Sequence, residues 1–336
     1  MAKIVAMLGP DTEFVRARTR EFNHIAGTLG GGVEFRLVDT TKSFDDVVKA
    51  CEGAVAMHPA VYRQLTKEQF TELARRTPTI KLLQTPSAGT DAYDKHALAK
   101  LGVQVCNHGG ANAVAVAEIA ITLMVGVYRK LVQQIDSVRA GTWSEPITSQ
   151  PDGDFHTLVG KRVGIVGLGR IGSRVAKRLQ GWECEVVYHD IVEFPREYVD
   201  ATKAKKVDLE TLLKTSDVVS LHVPLDPPTQ HMMSDKQFAL MKPTAMLINT
   251  CRGPVVDEPA LIRALEKKVI CGAGLDVTEV EPVSMDNPLL KMSNVILTPH
   301  QATRAIESLD NAKRFVVENI DRLARGKPVE SVVPPV

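Results

Sequence analysis

The chain has 336 residues, 44% of them hydrophobic and 24% charged. These are ordinary globular proportions that exclude collagen, coiled coil and long disordered protein, and at about 150 residues per domain the length suggests two domains. Lys and Arg total 41 against 40 Asp and Glu, a net charge of +1, which argues against a nucleic-acid partner and against an acidic tail.

The first apolar run, residues 4–8, is closed by Gly9-Pro10 and is too short for a signal-peptide core. Residues 33–38, 54–57, 81–84 and 103–106 read as further strands, with helical periodicity between them at 44–50 and 67–75. Such alternation predicts a first βα unit with a parallel sheet. A long helical run follows over 111–139. Its apolar core, 113–127, is interrupted by Glu118 and closed by Arg129-Lys130, so it falls short of a membrane span.

After a polar, turn-rich stretch at 141–160, a second series begins. Strands are expected at 162–166, 185–188, 218–222, 245–249, 271–275 and 295–297, and helices at 170–179, 209–213, 235–241 and 258–267. Six parallel strands with crossover helices describe a doubly wound, Rossmann-type nucleotide-binding sheet. A last helix carries Ile306, Leu309, Phe315, Val316, Ile320 and Leu323 mainly at three- and four-residue steps, before a proline-containing tail. The five cysteines are widely spaced and form no CxxC pair, so reduced and mostly buried thiols are expected. No HxxxH or clustered carboxylate pattern supports a metal. Together these features read as a cytoplasmic protein without a membrane partner.

The most informative segment is Gly167-Leu168-Gly169-Arg170-Ile171-Gly172, a GxGxxG pattern that follows an apolar strand and opens a helix. Gly167 permits the tight turn, Gly169 lets backbone approach a pyrophosphate, and Gly172 lets helix pack on strand; the helix amino terminus adds amide donors. Asp190 stands eighteen residues beyond Gly172, at the end of the next strand. There a carboxylate accepts hydrogen bonds from adenine-ribose hydroxyls and repels a 2′-phosphate, which favours NAD over NADP.

Three later strands end in polar or charged residues: Asn249-Thr250-Cys251-Arg252-Gly253, Asp276-Val277-Thr278-Glu279-Val280-Glu281-Pro282 and Thr298-Pro299-His300. Ligands of open α/β sheets bind outside the carboxyl ends of strands. Arg252, Asp276, Glu281 and His300 are therefore expected near one another.

With these segments in order, after Ser87-Ala88-Gly89-Thr90-Asp91 and Asn112 to Glu118, the chain resembles the D-isomer-specific 2-hydroxyacid dehydrogenase family over nearly its whole length. The resemblance implies interconversion of a 2-oxo acid and a D-2-hydroxy acid by hydride transfer with a nicotinamide. Arg252 would hold the substrate carboxylate and carbonyl oxygen with its planar fork. His300 would be the acid and base, with Glu281 on its other ring nitrogen. Asp276, Thr250 and Cys251 would line the nicotinamide side, Val223 would lie beneath the cofactor, and Arg170 and Ile171 would belong to the pyrophosphate loop. Ala88 and Gly89 would offer backbone amides to the carboxylate. His58, at a strand end, is either a substrate contact or a solvent-exposed histidine.

The resemblance also implies a discontinuous, flavodoxin-like substrate domain, 1–106 with 301–336, and a cofactor domain, 107–300. It implies a homodimer built on the long helical run and the loop after it. An NAD-sensing corepressor-like scaffold shares these motifs but carries longer interaction tails. A phosphite-type dehydrogenase carries lysine where this chain has Ala88, and a formate dehydrogenase carries glutamine where it has Glu281. The particular 2-oxo acid is left open.

Overall fold

The computed structural model describes residues 2–61, 64–143 and 155–335. They form two compact units, Met1–Asn112 with Ala305–Val336, and Ala113–Arg304. The chain passes between units a few residues beyond the crossings at 106 and 300 expected from sequence.

In the first unit the elements are β1 (Lys3–Gly9), α1 (Glu13–Thr28), β2 (Val33–Asp39), α2 (Phe44–Ala50), β3 (Ala54–Pro59), α3 (Lys67–Arg76), β4 (Leu82–Gln84), α4 (Lys95–Lys100) and β5 (Gln104–Cys106). The sheet is parallel in the order β2-β1-β3-β4-β5, the flavodoxin-like order. Each face carries its own apolar layer. Val47, Phe70, Leu73 and Leu98 pack on Leu8, Met57 and Leu83. On the other face Val15 and Phe22 of α1 join Val316 and Ile320 of the closing helix against Val5, Met7 and Phe35. Helix α1 was not singled out from sequence because its buried positions, Val15, Thr19, Phe22 and Ala26, form a thin stripe among charges.

The closing helix, Ile306–Ala324, is tied down by a buried amide. Asn319 donates to Gln84 Oε1 at 2.8 Å and to Glu330 O at 3.0 Å, and accepts from Glu330 N at 2.6 Å. Val332 then forms an antiparallel bridge with Cys106. The carboxyl terminus thus completes the first unit.

The second unit comprises α5 (Ala113–Tyr128), α6 (Leu131–Arg139), β6 (Arg162–Val166), α7 (Gly172–Leu179), β7 (Glu185–His189), α8 (Arg196–Asp200), β8 (Lys205–Lys206), α9 (Leu209–Thr215), β9 (Val218–Leu221), α10 (Asp235–Phe238), β10 (Met246–Asn249), α11 (Glu258–Glu266), β11 (Gly272–Leu275) and β12 (Val295–Leu297). Its parallel sheet runs β12-β11-β10-β9-β6-β7-β8, with the order reversing beside β6. This is seven strands rather than the expected six. The extra one is an exposed Lys-Lys pair at the edge, invisible to any apolar pattern.

The expected helical run over 111–139 is two helices, broken at Lys130, whose φ is 47°. Helix α5 is buried on several sides because strand glycines let it approach. A Cβ on Gly274 would lie 2.8 Å from Leu123 Cβ, and one on Gly272 would lie 3.0 Å from Val127 Cγ1. The turn-rich stretch at 141–160 falls largely outside the described residues.

Candidate active site

The glycine loop joins β6 to α7 beside the point where strand order reverses. Gly167 has φ +95°, and a Cβ there would lie 2.7 Å from His222 O and 3.1 Å from Val223 Cγ1. Val223 is therefore packed against the loop. A Cβ on Gly172 would meet Gly167 O at 2.0 Å, whereas one on Gly169 would meet nothing within 4 Å. Two glycines are required by close backbone approach, and the third leaves open space at the helix start. That cradle fits a dinucleotide pyrophosphate.

Asp190 ends β7 beside this loop. Its Oδ2 accepts from Leu168 N at 2.7 Å and its Oδ1 from Val192 N at 2.8 Å. The carboxylate thus braces the glycine loop. His222 is half-buried with Nε2 2.9 Å from Ser220 Oγ, and desolvation pushes its pKa down to about 3, so the ring is neutral.

Arg252, Asp276 and His300 follow the carboxyl ends of β10, β11 and β12, which are adjacent and parallel. His300 Nδ1 lies 2.8 Å from Glu281 Oε2. His300 has φ 52°, unusual for a residue with a side chain. It is held there by its own N–H on Asp276 O at 2.8 Å. The Asp276 carboxylate, itself buried, accepts from Thr298 Oγ1 at 2.5 Å, from Gln301 N at 3.0 Å and from Ala302 N at 2.9 Å. Its oxygens thereby organise the loop that presents His300.

The Glu281 loop has a second anchor that sequence reasoning missed. Glu258 N donates to Glu279 Oε2 at 3.1 Å, Glu279 N donates to Glu258 Oε2 at 2.8 Å, and His231 Nε2 lies 2.8 Å from Glu279 Oε1. Only the spacing of two glutamates in unrelated segments recorded it. Arg252 is half-buried, with Nη1 donating to Cys251 O at 2.7 Å. Cys251 is buried and desolvation pushes its thiol up to about 11, which keeps it protonated. Thr250 Oγ1 is buried without a hydrogen-bond partner, an orphan hydroxyl suited to a bound ligand.

In the first unit, His58 is fully buried, which corrects the solvent-exposed alternative. Its ring stacks on Phe22 at 5.2 Å because residue 58 faces α1, and Nδ1 lies 2.7 Å from Gln84 O. Burial pushes its pKa down to about 3. The loop bearing Ala88 and Gly89 is shaped by Ser87 Oγ donating to Gly89 O at 2.9 Å. Among the described residues no group of three or more His, Cys, Asp or Glu could hold a metal ion, and no helix is long and apolar enough to cross a membrane.

The profile of the D-isomer specific 2-hydroxyacid dehydrogenase NAD-binding domain matches residues 121–302. A glycerate dehydrogenase of Methylorubrum extorquens is 34% identical over 332 residues, 98% of each chain. A glyoxylate reductase of Thermococcus litoralis is 39% identical over 270 residues, 80% of this chain and 81% of that one. The crystal structure of Rhodotorula graminis D-mandelate dehydrogenase superposes with a TM-score of 0.84 at 28% identity, covering 99% of this chain and 98% of the other. The chain belongs to the D-isomer-specific 2-hydroxyacid dehydrogenase family and is a nicotinamide-dependent oxidoreductase.

Proposed function

We propose that the protein reduces a small 2-oxo acid to the D-2-hydroxy acid and prefers NADH to NADPH. The observation that carries this reading is the His300 Nδ1–Glu281 Oε2 contact of 2.8 Å at the end of the strand beside the Asp276 loop. With Nδ1–H engaged by the carboxylate, Nε2–H is the proton available to the substrate carbonyl oxygen, and the same nitrogen receives it in the reverse direction. Arg252 holds the substrate carboxylate, since a guanidinium offers two parallel donors to two oxygens. A bound reduced nicotinamide supplies the hydride to C2.

Gly167, Gly169, Arg170, Ile171 and Gly172 form the pyrophosphate cradle, Val223 lies beneath the cofactor, Thr250, Cys251 and Asp276 stand on the nicotinamide side, and Asp190 selects the unphosphorylated ribose. His58, neutral and fully buried, shapes the strand ends of the first unit rather than binding an anion. Glyoxylate and hydroxypyruvate head the substrate class, because relatives named glyoxylate reductase and glycerate dehydrogenase align over most of the chain. Steady-state oxidation of NADH and NADPH against a panel of 2-oxo acids tests the reading. Turnover that survives Arg252→Ala undiminished on every substrate would overturn it.

The protein is further assigned as a homodimer. Leu131, Val132, Ile135 and Val138 of α6 are exposed, as is Trp143 at 74%. An exposed apolar face of this kind is expected to be covered by a second copy.

A further inference from the structure

The glycine loop is gripped from a direction that no motif records. Tyr198 lies in the short helix α8, its ring stacked on Phe194 with centroids 5.0 Å apart. Its hydroxyl reaches 3.2 Å from Leu168 O, 3.1 Å from Gly169 O and 2.8 Å from Ser173 Oγ. Two consecutive loop carbonyls therefore converge on one phenol.

A trans peptide is planar, and its C=O and the next N–H point in opposite directions. Fixing Leu168 C=O on the tyrosine turns the Gly169 N–H away from it. Gly169 C=O shares that single phenol proton and also accepts from Ser173 N–H at 3.0 Å, the first bond of the following helix, so the Arg170 N–H is oriented by the helix. On the loop's other connection, Leu168 N–H is taken by Asp190 at 2.7 Å and Gly167 N–H by His189 O at 2.8 Å. The Leu168–Gly169 peptide is thus held by side chains at both ends, Asp190 on its amino side and Tyr198 on its carbonyl, whereas the backbone bonds of the following helix begin only at Gly169 C=O.

We propose that Tyr198 is a positioning residue for cofactor binding: its hydroxyl, by holding Leu168 C=O, aims the Gly169 amide at the dinucleotide pyrophosphate. The inference rests on the reading of this loop as the cofactor site. It adds a determinant of affinity that lies outside the glycine pattern and touches no cofactor atom itself.

Tyr198→Phe keeps the ring stack and removes only the hydroxyl. Fluorescence titration with NADH should give a dissociation constant raised about five-fold, the scale of one well-placed hydrogen bond. ADP-ribose, which carries the pyrophosphate without the nicotinamide, should weaken by the same factor. Turnover at saturating NADH should stay within twofold, so the change appears in KM for the cofactor and not in kcat. Ser173→Ala, which takes away the phenol's third partner and a long 3.4 Å bond to Arg170 O but leaves Leu168 C=O on the tyrosine, should leave the NADH constant within twofold.

An unchanged NADH constant in Tyr198→Phe overturns the proposal. So does a Ser173→Ala loss as large as that of Tyr198→Phe, which would assign the effect to helix packing. If the unsubstituted chain binds neither NADH nor ADP-ribose, the reading of the loop fails first. Binding there with no effect of Tyr198→Phe defeats only the present inference.

Discussion

Gly253 lies directly against the backbone of Thr278: a Cβ built on Gly253 would stand 1.8 Å from Thr278 O and 2.6 Å from Glu279 N. The residue after Arg252 therefore touches the loop that ends in Glu281. Two of the three strand ends at the site are packed against each other through a missing side chain, and no flexible group is available to yield.

Gly253→Ala is expected to displace the 278–281 loop from Arg252. Overpacking of this kind typically costs about 1–3 kcal/mol. The denaturant midpoint should fall, and turnover should fall further than the loss of folded protein explains. Full activity in a variant with wild-type stability would show that the contact relaxes freely.

His300→Asn removes the proton donor while leaving the Asp276 cradle able to hold the loop backbone. Turnover should drop by roughly 10²- to 10⁴-fold, the usual contribution of a positioned acid or base. NADH binding measured by fluorescence should change little. A loss confined to NADH affinity would reassign the residue to the cofactor.

Asp190→Ala acts twice on the proposed reading, because the carboxylate braces Leu168 N and is assigned to the ribose. Losing a charged hydrogen-bond partner corresponds to about tenfold or more in affinity. We expect kcat/KM with NADH to fall by about that factor, and the value with NADPH to fall less or rise, since repulsion of a 2′-phosphate is relieved. The ratio of the two efficiencies is the readout, and a constant ratio contradicts the assignment.

His58 and His222 make stability sensitive to acid. Desolvation depresses both from 6.5 to about 3 in the folded chain, so the folded state binds fewer protons than the unfolded state. Their contribution is complete above about pH 6.5 and declines as pH falls toward 3, by up to about 1.4 kcal/mol per pH unit for each ring. Urea midpoints at intervals from pH 7 to pH 4 should decrease with this slope, and His58→Leu should lessen it. A midpoint flat across that range would exclude two neutral histidines.

Sedimentation tests the apolar face of α6. Ile135→Asp and Val138→Asp should shift the protein toward monomer without lowering secondary structure. A parent protein that already sediments as a monomer at assay concentration removes the dimer from the account.

The motifs were legible because each rests on local constraints. Glycines at 167, 169 and 172 declare a turn, an open approach and a close helix in a fixed order, and a carboxylate after the next strand follows from the βαβ geometry. Residues following parallel strands were placed at one sheet end by topology alone, which is why Arg252, Asp276 and His300 could be grouped before any coordinates. What the residue order could not carry was the partner of each polar group. Asp276 and an unconstrained cofactor ligand look identical as letters; only the folded loop shows its oxygens taken by Thr298, Gln301 and Ala302. Tyr198 is one aromatic in a five-residue helix, and its hydroxyl acquires meaning only when α8 packs beside the glycine loop. Histidine 58 ends a strand in sequence, but whether its ring meets water or Phe22 depends on how α1 covers that sheet face. Strand periodicity and turn chemistry are short-range and survive in a linear chain, whereas hydrogen-bond pairing and burial arise between segments far apart in it, so tertiary packing alone decided them.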